Sequence, residues 1–327
     1  MDFTKLPKVE LHCHLDGGMD MDLVAEYLES KGEKVSREEL TGRLVVPANC
    51  TSLADYLKCF DLPCQVLQTK ENLRRQAYCL AKADALEGVT YLETRFAPNF
   101  HKNEGLNLDE ILDAVALGLE DAKKEFGIES GILVCAMRHM SLEDNLAVLK
   151  AAREHLGSGV VGFDIAGDEA AFPMELFTDL FHEAKRLEIP YTIHAGECGR
   201  AENVRGAIEL GTRRVGHGIA MDGHADIMKM CVDHHVGVEM CPTSNLQTHA
   251  LESLNDYPIR RYLDAGIPVS INTDNRTVSS ISLSHEYQVL DDIFHFTEDE
   301  LRRIYTDSVD VAFATDDVKH SLLQLYK

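Results

Sequence analysis

The sequence predicts an α/β fold, a (β/α)8 TIM-type barrel, on three observations. Eight short β-branched or apolar runs lie at 9–15, 89–96, 132–137, 160–166, 191–195, 214–219, 236–241 and 269–273. Amphipathic stretches separate most of them, as at 108–126 and 174–187, with apolar residues three and four apart. Strands alternating with helices imply a parallel sheet, and eight such units imply closure. The third observation is that several runs end in His, Glu or Asp, at the face where barrels carry chemistry. A doubly wound sheet is the competitor, but no Gly-rich phosphate turn follows the first run.

Taken in order, successive runs begin roughly 20 to 40 residues apart, the length of a βα unit. The exception is the connection after the first run, a mostly helical stretch over about 18–87 with a helix expected from Thr51, where Thr and Ser supply a cap. Long excursions at this face build lids, so the expectation is one domain over 1–327 with a helical lid insertion.

Composition narrows the function. The 327 residues are 45% hydrophobic, enough for a large core, and carry a formal charge of −23. That sign opposes phosphate backbones and anionic membrane surfaces, so neither nucleic acid nor membrane is an expected partner, and the substrate is expected to be neutral or cationic. Nine cysteines, odd in number and without a regular framework, read as free thiols in a reducing compartment. With no signal-peptide pattern and no long apolar stretch, the expected location is the cytoplasm.

The first run ends in His12 and His14, two apart on a strand and so on one face, which makes them a ready pair of metal ligands. With fifteen histidines, chance supplies about one such pair, so the other ligands decide the matter. The fifth run ends in His194-Ala195-Gly196-Glu197, the sixth in Gly216-His217-Gly218 and the eighth in Asn272-Thr273-Asp274-Asn275. His12, His14, His194 and Asp274 would give three nitrogens and one carboxylate oxygen, a set that suits zinc in an open catalytic site. A bound zinc lowers the pKa of its water to about 7. Glu197, across a Gly turn from a ligand, has the position of a general acid/base, and His217 that of a hydrogen-bonder to the attacking hydroxide.

The motifs HCHLDGG, MRH, DIAGDE, HAGE, VGHG, CPTSN and INTDN occur in this order. In order and spacing they resemble the adenosine deaminase family of the metal-dependent amidohydrolases, from about residue 5 to near the C-terminus. The resemblance implies one zinc per chain, held by His12, His14, His194 and Asp274, with His14 also facing the substrate. It implies that Glu197 protonates purine N1 during attack on C6, that His217 orients the hydroxide, and that Asp274 fixes the face of attack. Asp16 would bind the ribose 5′-hydroxyl and the backbone N–H of Gly167 purine N3. Leu53, Tyr56, Leu57 and Phe60 would form the apolar helix over the nucleoside. One departure stands out: where the family often has a second aspartate binding N7, this chain has Asn275, whose amide donates to N7 without titrating.

Plainer readings coexist. Glu197 also fits a helix N-terminus, His217 a buried structural histidine, Asp16 the start of a Gly-Gly turn, and the 53, 56, 57, 60 spacing any amphipathic helix. The predicted activity is zinc-dependent deamination of adenosine and 2′-deoxyadenosine to the inosine products and ammonia, in purine salvage. The alternatives are free adenine or a modified adenosine such as aminodeoxyfutalosine, and a non-enzymatic zinc-binding scaffold. A binuclear site would want a lysine at the end of the fourth strand, and the segment from Phe163 to Glu169 has none.

Overall fold

Alternation along the first strand sorts the barrel into an outside and an inside. In β1 (Lys8–His14), Val9 and Leu11 pack against Tyr305, Val309 and Val311 of the helix Glu298–Val311. The intervening Glu10, His12 and His14 point the other way. A computed structural model describes residues 1–47, 50, 56, 58–197 and 200–326. The other strands are β2 (Val89–Phe96), β3 (Glu129–Met137), β4 (Val160–Ala166), β5 (Thr192–Ala195), β6 (Arg214–His217), β7 (Gly237–Met240) and β8 (Val269–Ile271). They pair in parallel as two runs, β1 to β4 and β5 to β8.

Two seams join the runs into a (β/α)8 barrel. At the first, Phe163 N–H donates to Pro190 O at 2.9 Å, and Phe163 bridges Tyr191 in parallel. At the second, Asp274 N–H donates to His12 O at 2.8 Å and His14 N–H to Asp274 O at 2.7 Å. The second seam therefore stitches the backbone of Asp274 to both sides of Cys13, bringing its carboxylate to the two β1 histidines.

The barrel interior is charged. Arg95 on β2 reaches Asp164 on β4 at 2.7 Å and Glu239 on β7 at 2.8 Å, while Arg214 on β6 reaches Glu239 at 2.6 Å and also Glu93 on β2. Strands that are not neighbours share contacts only across the inside of a barrel, so these fully buried pairs fill it. Buried charges persist because each is paired and hydrogen-bonded. The apolar core lies outside this ring, where the strands meet the helices.

Several strands end before their predicted limits. The sixth stops at His217, with φ of 66°, and a 3₁₀ turn Ile219–Met221 follows; the eighth stops at Ile271, and Asp274 has φ of 61°. A left-handed residue leaves the ladder, and apolar patterning does not register that. The predicted helix 108–126 matches Leu108–Phe126, whose Asn107 and Glu110 form a capping box. The stretch 174–187 divides into a 3₁₀ turn Met174–Phe177 and the helix Thr178–Arg186.

Between β1 and β2 lie the helices Met21–Ser30, Arg37–Leu44, Asp61–Val66 and Lys70–Leu86. The last packs on β2 and on Leu108–Phe126, as the first unit's own outer helix. The helix expected from Thr51 falls mostly outside the described residues, and Lys58–Phe60 is a single 3₁₀ turn. No helix among the described residues is long and apolar enough to cross a membrane.

Candidate active site

Four side chains converge at the C-terminal rim of the barrel. His14 Nε2 lies 3.3 Å from Asp274 Oδ1 and 3.3 Å from His194 Nε2, and His12 Nε2 lies 3.4 Å from the same Asp274 oxygen. A tetrahedral ion with bonds of about 2.0–2.1 Å separates its donors by about 3.3–3.4 Å. These three separations match that spacing, and His12 Nε2 is a buried nitrogen without a hydrogen-bond partner. Two other groupings also come within ligating range, His12 with His194 and His217, and His12 with Cys241 and Asp274. His217 is turned instead toward Asn245 and Glu197, and burial drives the Cys241 thiol well above the usual range, away from the thiolate a metal takes.

Each donor is oriented from behind. His12 Nδ1 is 2.8 Å from Glu239 and His194 Nδ1 is 2.9 Å from Asp164, the carboxylate–histidine arrangement that fixes a ligand's ring. The Ser244 hydroxyl donates to Asp274 Oδ2 at 2.6 Å. Burial opposes ionisation of Glu239, yet Arg95 and Arg214 outweigh it and hold the carboxyl well below its ordinary range. Asp164 is held low in the same way, against burial, by His194 and Arg95. Burial lowers His14 well below its ordinary value and, with Arg95 nearby, also lowers His12, which favours the neutral imidazoles a metal requires.

Beside the donors opens a cavity of about 450 Å³. Its polar wall includes Asp16, Gly167, Glu197, His217, Asp274 and Asn275; Tyr56, Phe60, Phe100, Met137 and Phe172 supply apolar walls. No lysine or arginine is among the described residues that line it. Burial raises the Glu197 carboxyl, only partly countered by His217, whose Nε2 is 3.7 Å away. Glu197 precedes the helix Ala201–Leu210 rather than lying in its first turn, and faces the cavity. Asp16 is pushed up to about 6 by burial, and its Oδ1 is buried without a partner. Gly17 packs so close to Asn275 that a Cβ there would lie 1.9 Å from the amide oxygen. Tyr56 hydrogen-bonds Ser279 at 2.9 Å, and Phe60 is half-buried in the same small cluster. Leu53 and Leu57 lie outside the described residues.

Several residues that shape the site carried no role in the sequence reading. Glu239 and Arg95 stand as charges inside otherwise apolar strands, which was the available signal. Glu169 accepts from Gly196 N–H and from Asn203 Nδ2, each at 2.9 Å, and so holds the turn that carries Glu197. The sequence also offers His139, near a strand end, as a partner behind the ligands; its ring stacks on Phe100, centroids 6.1 Å apart, on the cavity wall. Behind the short helix Pro242–Gln247, Glu286 accepts from Thr243 N–H at 3.1 Å, and burial pushes its carboxyl up to about 7.

The folded state therefore keeps the Glu286 proton where the unfolded chain has lost it, so stability falls as pH rises from about 4.5 toward 7 and then levels. Glu286→Gln, neutral throughout and still able to accept from Thr243, is expected to raise stability by about 2 kcal/mol at pH 8 and to leave it nearly unchanged near pH 4. Thermal denaturation at the two pH values checks this; equal gains at both would refute it.

Comparison with known proteins agrees with this architecture. The family described as Adenosine deaminase matches residues 7–326. An adenosine deaminase of Enterococcus faecalis is 40% identical over 322 residues, covering 98% of this chain and 96% of the relative. Among solved structures, an adenine deaminase from Arthrobacter aurescens superposes with a TM-score of 0.88 at 25% identity, over 98% of each chain. An N6-mAMP deaminase of Arabidopsis has a TM-score of 0.88 at 27% identity, covering 99% of this chain and 98% of its own. With the family match spanning almost the whole chain and a curated relative at this identity, the protein belongs to the adenosine deaminase family.

Proposed function

We propose that the protein is a zinc-dependent deaminase that hydrolyses adenosine, and 2′-deoxyadenosine, to inosine, or 2′-deoxyinosine, and ammonia. The observation that carries the reading is the convergence of His12, His14, His194 and Asp274, with three donor separations of 3.3–3.4 Å, beside Glu197 and His217 on a cavity that no lysine or arginine lines among the described residues. His12, His14, His194 and Asp274 are the residues that would hold zinc, one per chain. When bound, zinc supplies a Lewis acid that makes water a nucleophile at neutral pH.

The chain's own groups do the rest. Glu197, whose carboxyl burial raises, gives a proton to purine N1, so that the ring accepts the electrons displaced when C6 is attacked. His217 Nε2 faces the same space and orients the attacking oxygen. The Gly167 N–H, in a turn with φ of 108°, is assigned to N3 and the Asn275 amide to N7, acceptors that a neutral purine presents without a proton. Asp16 accepts from the ribose 5′-hydroxyl, and Tyr56 and Phe60, with Leu53 and Leu57, are assigned to cover the nucleoside. The acidic chain and its scattered cysteines support a cytoplasmic location.

The substrate assignment is tested by giving the purified holoenzyme adenosine, adenosine 5′-monophosphate and adenine, and following the ultraviolet change on loss of the amine. Asp16, Asp61 and Asp168 line the cavity and, among the described residues, no lysine or arginine does, so the monophosphate is expected to be turned over at least about 100-fold less efficiently than adenosine. Faster turnover of adenine or of the monophosphate would sink the nucleoside reading.

A further inference from the structure

Behind His217, away from the cavity, sits an arrangement that bears on the direction in which that ring presents its proton. The Nδ2 of Asn245 lies 3.0 Å from His217 Nδ1, and the Tyr257 hydroxyl donates to Asn245 Oδ1 at 3.1 Å. All three side chains are buried, His217 at 1% and the other two at 0% exposure. The phenol carries one hydrogen, and it goes to the Asn245 carbonyl oxygen. The amide is thereby oriented with its carbonyl toward Tyr257 and its NH₂ toward the imidazole. An NH₂ group only donates, so the ring nitrogen opposite it must accept.

We propose that Asn245, locked by Tyr257, is a positioning residue that holds the His217 proton on Nε2, the nitrogen 3.7 Å from Glu197 Oε2. The catalytic consequence rests on the reading of His217 as facing the reacting carbon; the proton placement rests on the hydrogen bonds alone. In the other tautomer Nε2 would present a lone pair to the cavity and could not donate to an attacking oxygen. Two features of this chain serve the arrangement. Asn245 is anchored within the short helix Pro242–Gln247, its own N–H donating to Cys241 O at 2.9 Å. His217 is held at φ of 66°, a conformation costly for a residue with a Cβ and typical of strained functional positions.

The test is nitrogen NMR on histidine-labelled holoenzyme, with the His217 signals identified as those lost in His217→Gln. The proton is expected on Nε2 in the unaltered protein. In Asn245→Asp the carboxylate accepts instead of donating, so the proton moves to Nδ1, and kcat on adenosine falls about 10²–10³-fold with KM changed less than about threefold. Tyr257→Phe keeps the amide but frees it to turn, so both tautomers appear and kcat falls about tenfold; this variant carries the test if Asn245→Asp does not fold. An Nδ1 proton in the unaltered protein overturns the proposal, as does Asn245→Asp with the proton still on Nε2, whatever its activity. Unaltered protein with the proton on Nε2 but no adenosine turnover upholds this placement and refutes the substrate reading instead.

Discussion

Glu197→Gln is expected to lower kcat on adenosine about 10³-fold while leaving metal content and thermal stability as they are. Glutamine has nearly the same shape and hydrogen-bonding reach, but its amide has no proton to deliver to a ring nitrogen. General acid–base groups contribute roughly 10²–10⁴ in rate, and a thousandfold loss corresponds to about 4 kcal/mol of transition-state stabilisation. The structure gives the carboxyl the character this role needs: burial raises it, and His217 only partly offsets the effect. Binding is expected to survive, since the cavity walls, Asp16 and Asn275 are untouched. Metal analysis and steady-state kinetics on the same preparation separate the outcomes. A variant that keeps its metal and remains fully active would remove Glu197 from the mechanism.

Arg95→Leu is expected to be the most damaging single change to the barrel. Arg95 is fully buried and bridges Asp164, Glu239 and the carbonyl of Leu11 with its planar fork. Its loss leaves two carboxylates in a desolvated interior. Glu239 keeps Arg214 and Thr192, but Asp164 loses its only guanidinium among the described residues. Removing one partner of a buried ion pair costs about 3–5 kcal/mol, or about 4–7 °C in Tm for a chain of this size. Because Asp164 and Glu239 orient His194 and His12, metal affinity is expected to fall about 10- to 100-fold as well. Arg95→Lys is expected to recover little, since an ammonium cannot span the same three acceptors. The control is Arg75→Leu, which breaks an exposed pair with Glu26 and is expected to cost less than about 1 kcal/mol. Calorimetry on the variants decides it; Arg95→Leu within about 1 kcal/mol of the unaltered protein would refute the clamp.

The legible part of this protein was what local chemistry repeats. Eight apolar runs divided by amphipathic stretches imply a barrel because the two periods differ, and strand ends in His, Glu and Asp stand out against an apolar background. His12 and His14 were readable as a pair because two residues along a strand return to one face, whatever the rest of the chain does.

Other features depended on distance in space. That Asp274 lies beside those histidines follows from the seam in which its N–H and C=O bond to His12 and His14. The positive φ at His217 and Asp274, which ends the ladders early and turns both side chains to the cavity, leaves no trace in a hydrophobic pattern. Arg95 and Glu239 were visible as odd charges within apolar strands, yet nothing local says that they meet, or that Glu239 turns His12. Ser244 and Asn245 sat inside a recognisable motif without a role, because each acts on a residue from another strand. The sequence alone determined which side chains can bind a metal, carry a proton or form a strand, because those are properties of residue type and period. Which of them face one another was decided by barrel closure, because contacts between remote segments exist only once the chain has folded.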